Sequence, residues 1–177
     1  MRRVAATIVF LASTALAADL VRTEAVGLRF AHPADWKRVP ASSDVRAAQF
    51  AVPHAAADPE DAEAILFFFG KGKGGSAQEN LDRWYSQFQG TEGHSAKDDA
   101  VVTIRTVHGL KVTSVDLAGT YTGMGAGAPA KPNQRLLAAV IEGEDGPWFW
   151  KIVGPTATIA QTKPGFEELL LSVEPHR

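Results

Sequence analysis

The sequence predicts an α+β domain, an α/β/α sandwich on one antiparallel sheet of about six or seven strands with helices on both faces. Three observations predict it. Short apolar runs joined by tight turns recur along the chain, and strands linked that closely run antiparallel. Only two stretches carry an apolar stripe at helical spacing, Leu81–Phe88 and Phe166–Val173. The only long crossover available passes through Ser76–Phe88, so a doubly wound parallel sheet is not expected.

The densest stretch is Arg135–Pro155. Two apolar runs, Leu136–Ile141 and Trp148–Val153, flank an acidic turn containing Asp145-Gly146, a strong hairpin signal. In the second run Trp148 and Trp150 fall on one face and Phe149 on the other. Two amphipathic helices need a surface, so these Trp are expected in the core rather than as an exposed stacking platform.

In chain order, residues 1–17 read as a signal peptide. Arg2 and Arg3 are its basic start, Val4–Thr14 its apolar stretch, and Ala15-Leu16-Ala17 a small-x-small cleavage site. The apolar run is shorter than the roughly 20 residues of a spanning helix. Cleavage after Ala17, by the general secretory route rather than the twin-arginine one, predicts a periplasmic or secreted protein with one domain over 18–177. The chain has no Cys, which excludes disulfides and a lipid-bearing thiol, so its core must hold it together. The formal charge is −2 and becomes more negative without Arg2 and Arg3. That opposes binding to nucleic acid or anionic lipid.

Leu20–Phe30, interrupted by Gly27, is two short strands or one broken strand. Trp36 closes a turn and begins a short strand to Val39; Arg46–Val52 is a strand ended by Pro53. Ala64–Phe69 is apolar on both faces, as in a strand covered on both sides. After the Gly70–Gly75 loop, Ser76 and Glu79 fit a capping box, and Leu81, Trp84, Tyr85 and Phe88 form the stripe of the first helix. Ala100–Val107 and Leu110–Tyr121 make a hairpin through His108-Gly109. Thr122–Pro132 has almost no anchoring side chain and is a flap over a cleft or a disordered loop. One or two helical turns reach Gln161, and Thr162 is placed as the N-cap of a last helix carrying Phe166, Leu169, Leu170 and Val173.

The chemical motifs are sparse. Gly70-Lys71-Gly72-Lys73-Gly74-Gly75 matches G-x-G-x-x-G between a strand and a helix. Free N–H groups, the helix end and two lysines would favour an anion, which makes Lys71, Lys73, Gly74, Gly75 and Ser76 the candidate ligand site. No parallel unit closes around it, and Gly75 rather than Lys precedes Ser76, so neither nucleotide fingerprint is complete. A strand-to-helix connection capped by Ser76 explains the loop as well.

None of the five His has metal-ligand spacing. His94 with Asp98 and Asp99, or Glu142-Gly143-Glu144-Asp145, reads as a solvated loop or turn, so no metal or cofactor is expected. Glu167 and Glu168 are adjacent on a helix and do not face each other. No nucleophile elbow occurs, although a Ser-His-Asp triad assembles in space rather than in sequence.

Several blocks taken together resemble a known group. They are Pro33–Trp36, Gly75-Ser76, Asn80-Leu81-Asp82-Arg83-Trp84 with Gln87-Phe88, Val115–Tyr121, and Phe149–Pro155. They resemble exported bacterial proteins of unknown function with the PsbP/Mog-one-like fold. The resemblance implies the same sandwich, no catalytic residue, and an accessory or binding role. The leading expectation is therefore a non-catalytic binding module with a protein partner in the cell envelope. The alternatives are a small-ligand or anion-binding protein using Gly70–Ser76, and a hydrolase.

Overall fold

In the computed structural model the described residues are 19–90, 94–123 and 129–176. The expected signal segment and cleavage site lie outside them, as do parts of the Gly90–Lys97 and Thr122–Pro132 loops. Among the described residues eleven strands form two sheets, and every pairing is antiparallel. Strands β1 (Leu20–Ala25) and β2 (Leu28–Pro33) form a hairpin, and β11 (Glu174–Pro175) joins the free edge of β2.

The larger sheet contains β3 (Lys37–Arg38), β4 (Arg46–Val52), β5 (Ala62–Phe68), β6 (Phe88–Gln89), β7 (Val101–Val107), β8 (Leu110–Tyr121), β9 (Lys131–Glu142) and β10 (Trp148–Pro155). Its order is β3-β4-β5-β10-β9-β8-β6, with β7 lying along β8. The expected central hairpin is thus β9–β10. Leu136–Ile141 and Trp148–Trp150 are buried throughout, because both faces of these strands are covered. The β7–β8 turn at His108-Gly109 has φ of 46° and 83°, the left-handed pair a two-residue hairpin loop requires.

Helix α1 (Ala77–Tyr85) lies on one face and α2 (Thr156–Ser172) on the other. On the α2 face, Ile159, Phe166, Leu169 and Leu170 close over Leu66, Leu137, Trp150 and Ile152. Phe30 of β2 meets Trp150 edge-on at 5.0 Å and 81°, so the small sheet helps to roof the same core. On the α1 face, Leu81 and Trp84 pack with Val115, Leu136, Ala138, Val140 and Phe149. The alternation of Trp148 and Trp150 against Phe149 is as the sequence requires.

Four expectations need correction. The strand count of six or seven is too low, because β6 and β11 have two residues each and leave no readable alternation. The sandwich is also not helix–sheet–helix alone, since β1-β2-β11 shares the α2 face. Phe88 does not belong to the first helix. Ser86 caps α1, its N–H donating to the Asp82 and Trp84 carbonyls, and Phe88 then pairs as strand with Tyr121. The Phe88 ring still reaches the stripe's core by packing 5.2 Å from Tyr121.

The last helix starts at Thr156, not after Thr162. Pro155 supplies no side-chain cap; the Asp58 carboxylate accepts instead from the Thr158 N–H and hydroxyl, both at 2.6 Å. Thr162 is interior, its hydroxyl donating to the Thr158 carbonyl at 2.8 Å. Pro164 gives no N–H to Ala160, but both residues sit on the exposed side, so the helix runs through.

Candidate functional site

The Gly70–Ser76 loop connects β5 to α1, and the predicted capping box is present. Glu79 N–H donates to Ser76 Oγ at 3.2 Å, while Ser76 N–H donates to Glu79 Oε2 at 2.7 Å. The hydrogen bonds from the Ser76 backbone and hydroxyl hold the Glu79 carboxyl below its usual range. The chain's own carboxylate therefore already sits at the helix end. Lys71 and Lys73 are exposed beside it. Among the described residues neither has a carboxylate within ion-pair distance.

Gly74 has a second role. At φ +88°, its position allows a side chain only with strain, and a Cβ there would lie 2.6 Å from the Phe149 ring and 3.0 Å from that of Phe69. The loop backbone is thus pressed onto two aromatic rings. Asn80, buried in α1, fixes it there by donating to the Gly74 and Ser76 carbonyls at 2.9 and 2.8 Å.

Beside these rings, β5, β10 and α1 border a cleft of about 120 Å³ lined by Phe67, Phe69, Trp84, Phe149, Arg83 and Lys151, with Asn80 and Gln87. The Phe67 and Phe69 rings are parallel within 2° at 6.2 Å, and Phe69 meets Phe149 at 63°. Arg83 Nη1 donates to Asn80 Oδ1 at 3.1 Å. Lys151 Nζ donates to Gln87 Oε1 at 2.6 Å and lies 5.5 Å from the Tyr121 ring centre. Burial, and then the neighbouring Arg46, push the Lys151 ammonium down to about 8, with Glu63 pulling the other way.

Nothing in the linear pattern marked this cleft as a site. Its aromatic lining looks like core in the linear pattern. The one signal was Lys151 itself, a charge inside the apolar run Trp148–Val153.

Other candidates are placed as follows. His94 Nδ1 is 3.9 Å from Asp99, and the Asp98 carboxylate accepts from the Ser95 N–H and hydroxyl. Glu142 pairs with Lys111 at 2.9 Å across the β8–β9 ladder, and Glu167 with Arg105 at 2.7 Å. A hollow of about 430 Å³ near Glu144 and Asp145 includes His108 and His176. Among the described residues no three His or carboxylates gather closely enough to hold a metal ion. Another hollow, of about 510 Å³, borders Gly75 and Ser76, but its charges Lys111 and Glu142 pair with each other.

The fold belongs to a recognisable class, the PsbP-like α+β fold. The solution structure of cyanobacterial PsbP (CyanoP) from Synechocystis sp. PCC 6803 matches 94% of this chain and 98% of its own, with a TM-score of 0.55 and 14% identity. The crystal structure of PA94 from Pseudomonas aeruginosa, a protein of unknown function, matches 89% of this chain and 98% of its own, with a TM-score of 0.51 and 10% identity. No family model matches the chain, and no curated protein does. Among the described residues no helix is long and apolar enough to cross a membrane.

Proposed function

We propose that this protein is an exported, non-catalytic accessory module that binds an extended segment of a partner protein in the cell envelope. The observation carrying this reading is strand β7. It pairs regularly with β8 from Val101 to Val107, without a bulge, and among the described residues no strand covers its other edge. Val101, Val102 and Ile104 are 61, 41 and 65% exposed along it. It carries no Pro or Lys to block a further strand. An unpaired edge with exposed apolar side chains offers backbone hydrogen bonds and alternating side-chain contacts to an added strand.

Crosslinking of the full chain in envelope preparations tests this. A partner whose crosslinks map to β7 and are lost with Ile104→Lys supports it. Crosslinks only between copies of the chain, or capture indifferent to Ile104→Lys, overturn it.

A second reading is an anion site on Lys71, Lys73, Gly74, Gly75 and Ser76. The two lysines without carboxylate partners favour it, and Glu79 must leave the helix end to admit the anion. Calorimetry with phosphate and sulfate decides. Heat that disappears when Lys71→Ala and Lys73→Ala are combined supports the site, and silence removes it.

A further inference from the structure

The cleft between β5, β10 and α1 lies on different elements from β7 and combines two features that a simple packing role does not explain. Its walls are aromatic, and both of its charged lining residues, Arg83 and Lys151, are cations. The charged side chains lining it are Arg83 from α1 and Lys151 from β10; Arg46 from β4 lies 5.8 Å over the Phe67 ring, and Arg46 and Glu63 from β5 act on Lys151 through their charge. The single carboxylate is engaged elsewhere, with Glu63 Oε1 accepting from Arg46 at 3.3 Å and from Gln49. Among the described residues, Lys151 and Arg83 have no carboxylate within ion-pair distance; each holds only a neutral amide oxygen.

Burying an ammonium without a counter-charge is unfavourable, so the arrangement leaves an anion-shaped deficit. The apolar part of the occupant is set by the walls. An apolar cavity of about 150 Å³ accepts a benzene ring, and the cleft here is of that order, with Phe69 at its rim. A planar carboxylate matches the fork of a guanidinium and can share its other oxygen with the ammonium.

We infer that this cleft binds a small aromatic carboxylate, its ring held among Phe67, Phe69, Trp84 and Phe149 and its carboxylate by Lys151 and Arg83. Gly74 backs two of these rings, since a Cβ there would lie 2.6 Å from Phe149 and 3.0 Å from Phe69. This site goes beyond partner binding at β7 and stands independently of it.

The test is calorimetric titration of the full chain with phenylacetate, benzyl alcohol, acetate and inorganic phosphate, with Trp84 fluorescence as a second readout. Phenylacetate is expected to bind with Kd below about 1 mM, and at least tenfold more tightly than each of the other three. Lys151→Met is expected to weaken phenylacetate at least tenfold without lowering Tm, which separates lost recognition from lost folding. Arg83→Ala weakens it in the same direction.

Absence of phenylacetate binding overturns the inference. So does equal affinity for benzyl alcohol, tighter binding of phosphate, or unchanged affinity in Lys151→Met. Ile104→Lys leaves phenylacetate binding unchanged, so the cleft and the β7 edge fail or succeed separately.

Discussion

On the face of the large sheet that carries α2, twenty-three buried apolar residues form one described cluster; on the face that carries α1, ten do. The strands are the same, and alternate residues of β10 serve both. Trp150, fully buried at the centre of the larger cluster, touches Phe30 and Phe50. Its neighbours Phe149 and Lys151 point the other way, into a region that α1 covers only in part. A nine-residue helix cannot span the sheet that a seventeen-residue helix and three strands seal opposite. The uncovered remainder is where the cleft, its cations and the glycine loop collect. The comparison teaches that one face is specified by packing density, while the other leaves room for a ligand at some cost in stability.

The largest expected effect is on the sealed face. Phe166→Ala should cost about 3–5 kcal/mol in urea unfolding, since a cavity opens with no route to collapse. Trp84→Ala, beside the cleft, should cost less, about 2–3 kcal/mol, because the site can close over the gap. Equal costs would break the distinction between the faces.

Lys151→Met should raise stability by up to about 3 kcal/mol at neutral pH. The folded state holds this ammonium at about 8 against an ordinary 10.5. A depressed lysine is a penalty carried below the folded value and removed as pH rises toward the unfolded one. The wild type should therefore gain on the variant between pH 8 and about 10.5. Parallel stability curves across that window would show that the buried charge is not what separates the faces.

Asp116→Ala should cost about 2–3 kcal/mol near neutral pH, as expected for hydrogen bonds to charged groups. Asp116 accepts two bonds from Arg135 and one from Lys163 at 2.6–2.7 Å and anchors α2 to β8 and β9. Burial alone would raise its carboxyl, but the bonds from Arg135 and Lys163 outweigh that and hold it below the usual range. This stabilisation is present above the unfolded value near 4 and is lost as pH falls through the folded one. An unchanged difference between wild type and variant at pH 2 would contradict this account.

The smallest effect concerns Thr113 on the α1 face, whose buried hydroxyl has no hydrogen-bond partner among the described residues. Thr113→Val keeps the shape and removes the orphaned group, and should raise stability by about 1 kcal/mol in thermal unfolding. A loss of stability would mean that this face tolerates less change than its looser packing indicates.

Much of this architecture was legible in local pattern. Arg46–Val52, the β7–β8 turn at His108-Gly109 and the Ser76–Glu79 box depend on neighbours within a few residues, and each formed as expected. The failures share a cause. Thr162 looked like a helix start because its competitor, the cap on α2, is Asp58, 100 residues away in sequence. Phe88 fitted a helical stripe, yet strand pairing with Tyr121 places it in the same core. The glycine loop was visible as a motif, but its packing onto Phe149 and Phe69 and its anchoring by Asn80 depend on side chains outside the loop.

The sequence by itself determined the antiparallel sheet, the central hairpin and the two apolar helical faces, because burial period and turn chemistry are written residue by residue. Only the tertiary structure decided that α1 leaves half a face open, that Lys151 and Arg83 meet four aromatic rings there, and that β7 keeps a free edge. Those are outcomes of which surfaces run out of partners, a quantity set by the whole chain at once.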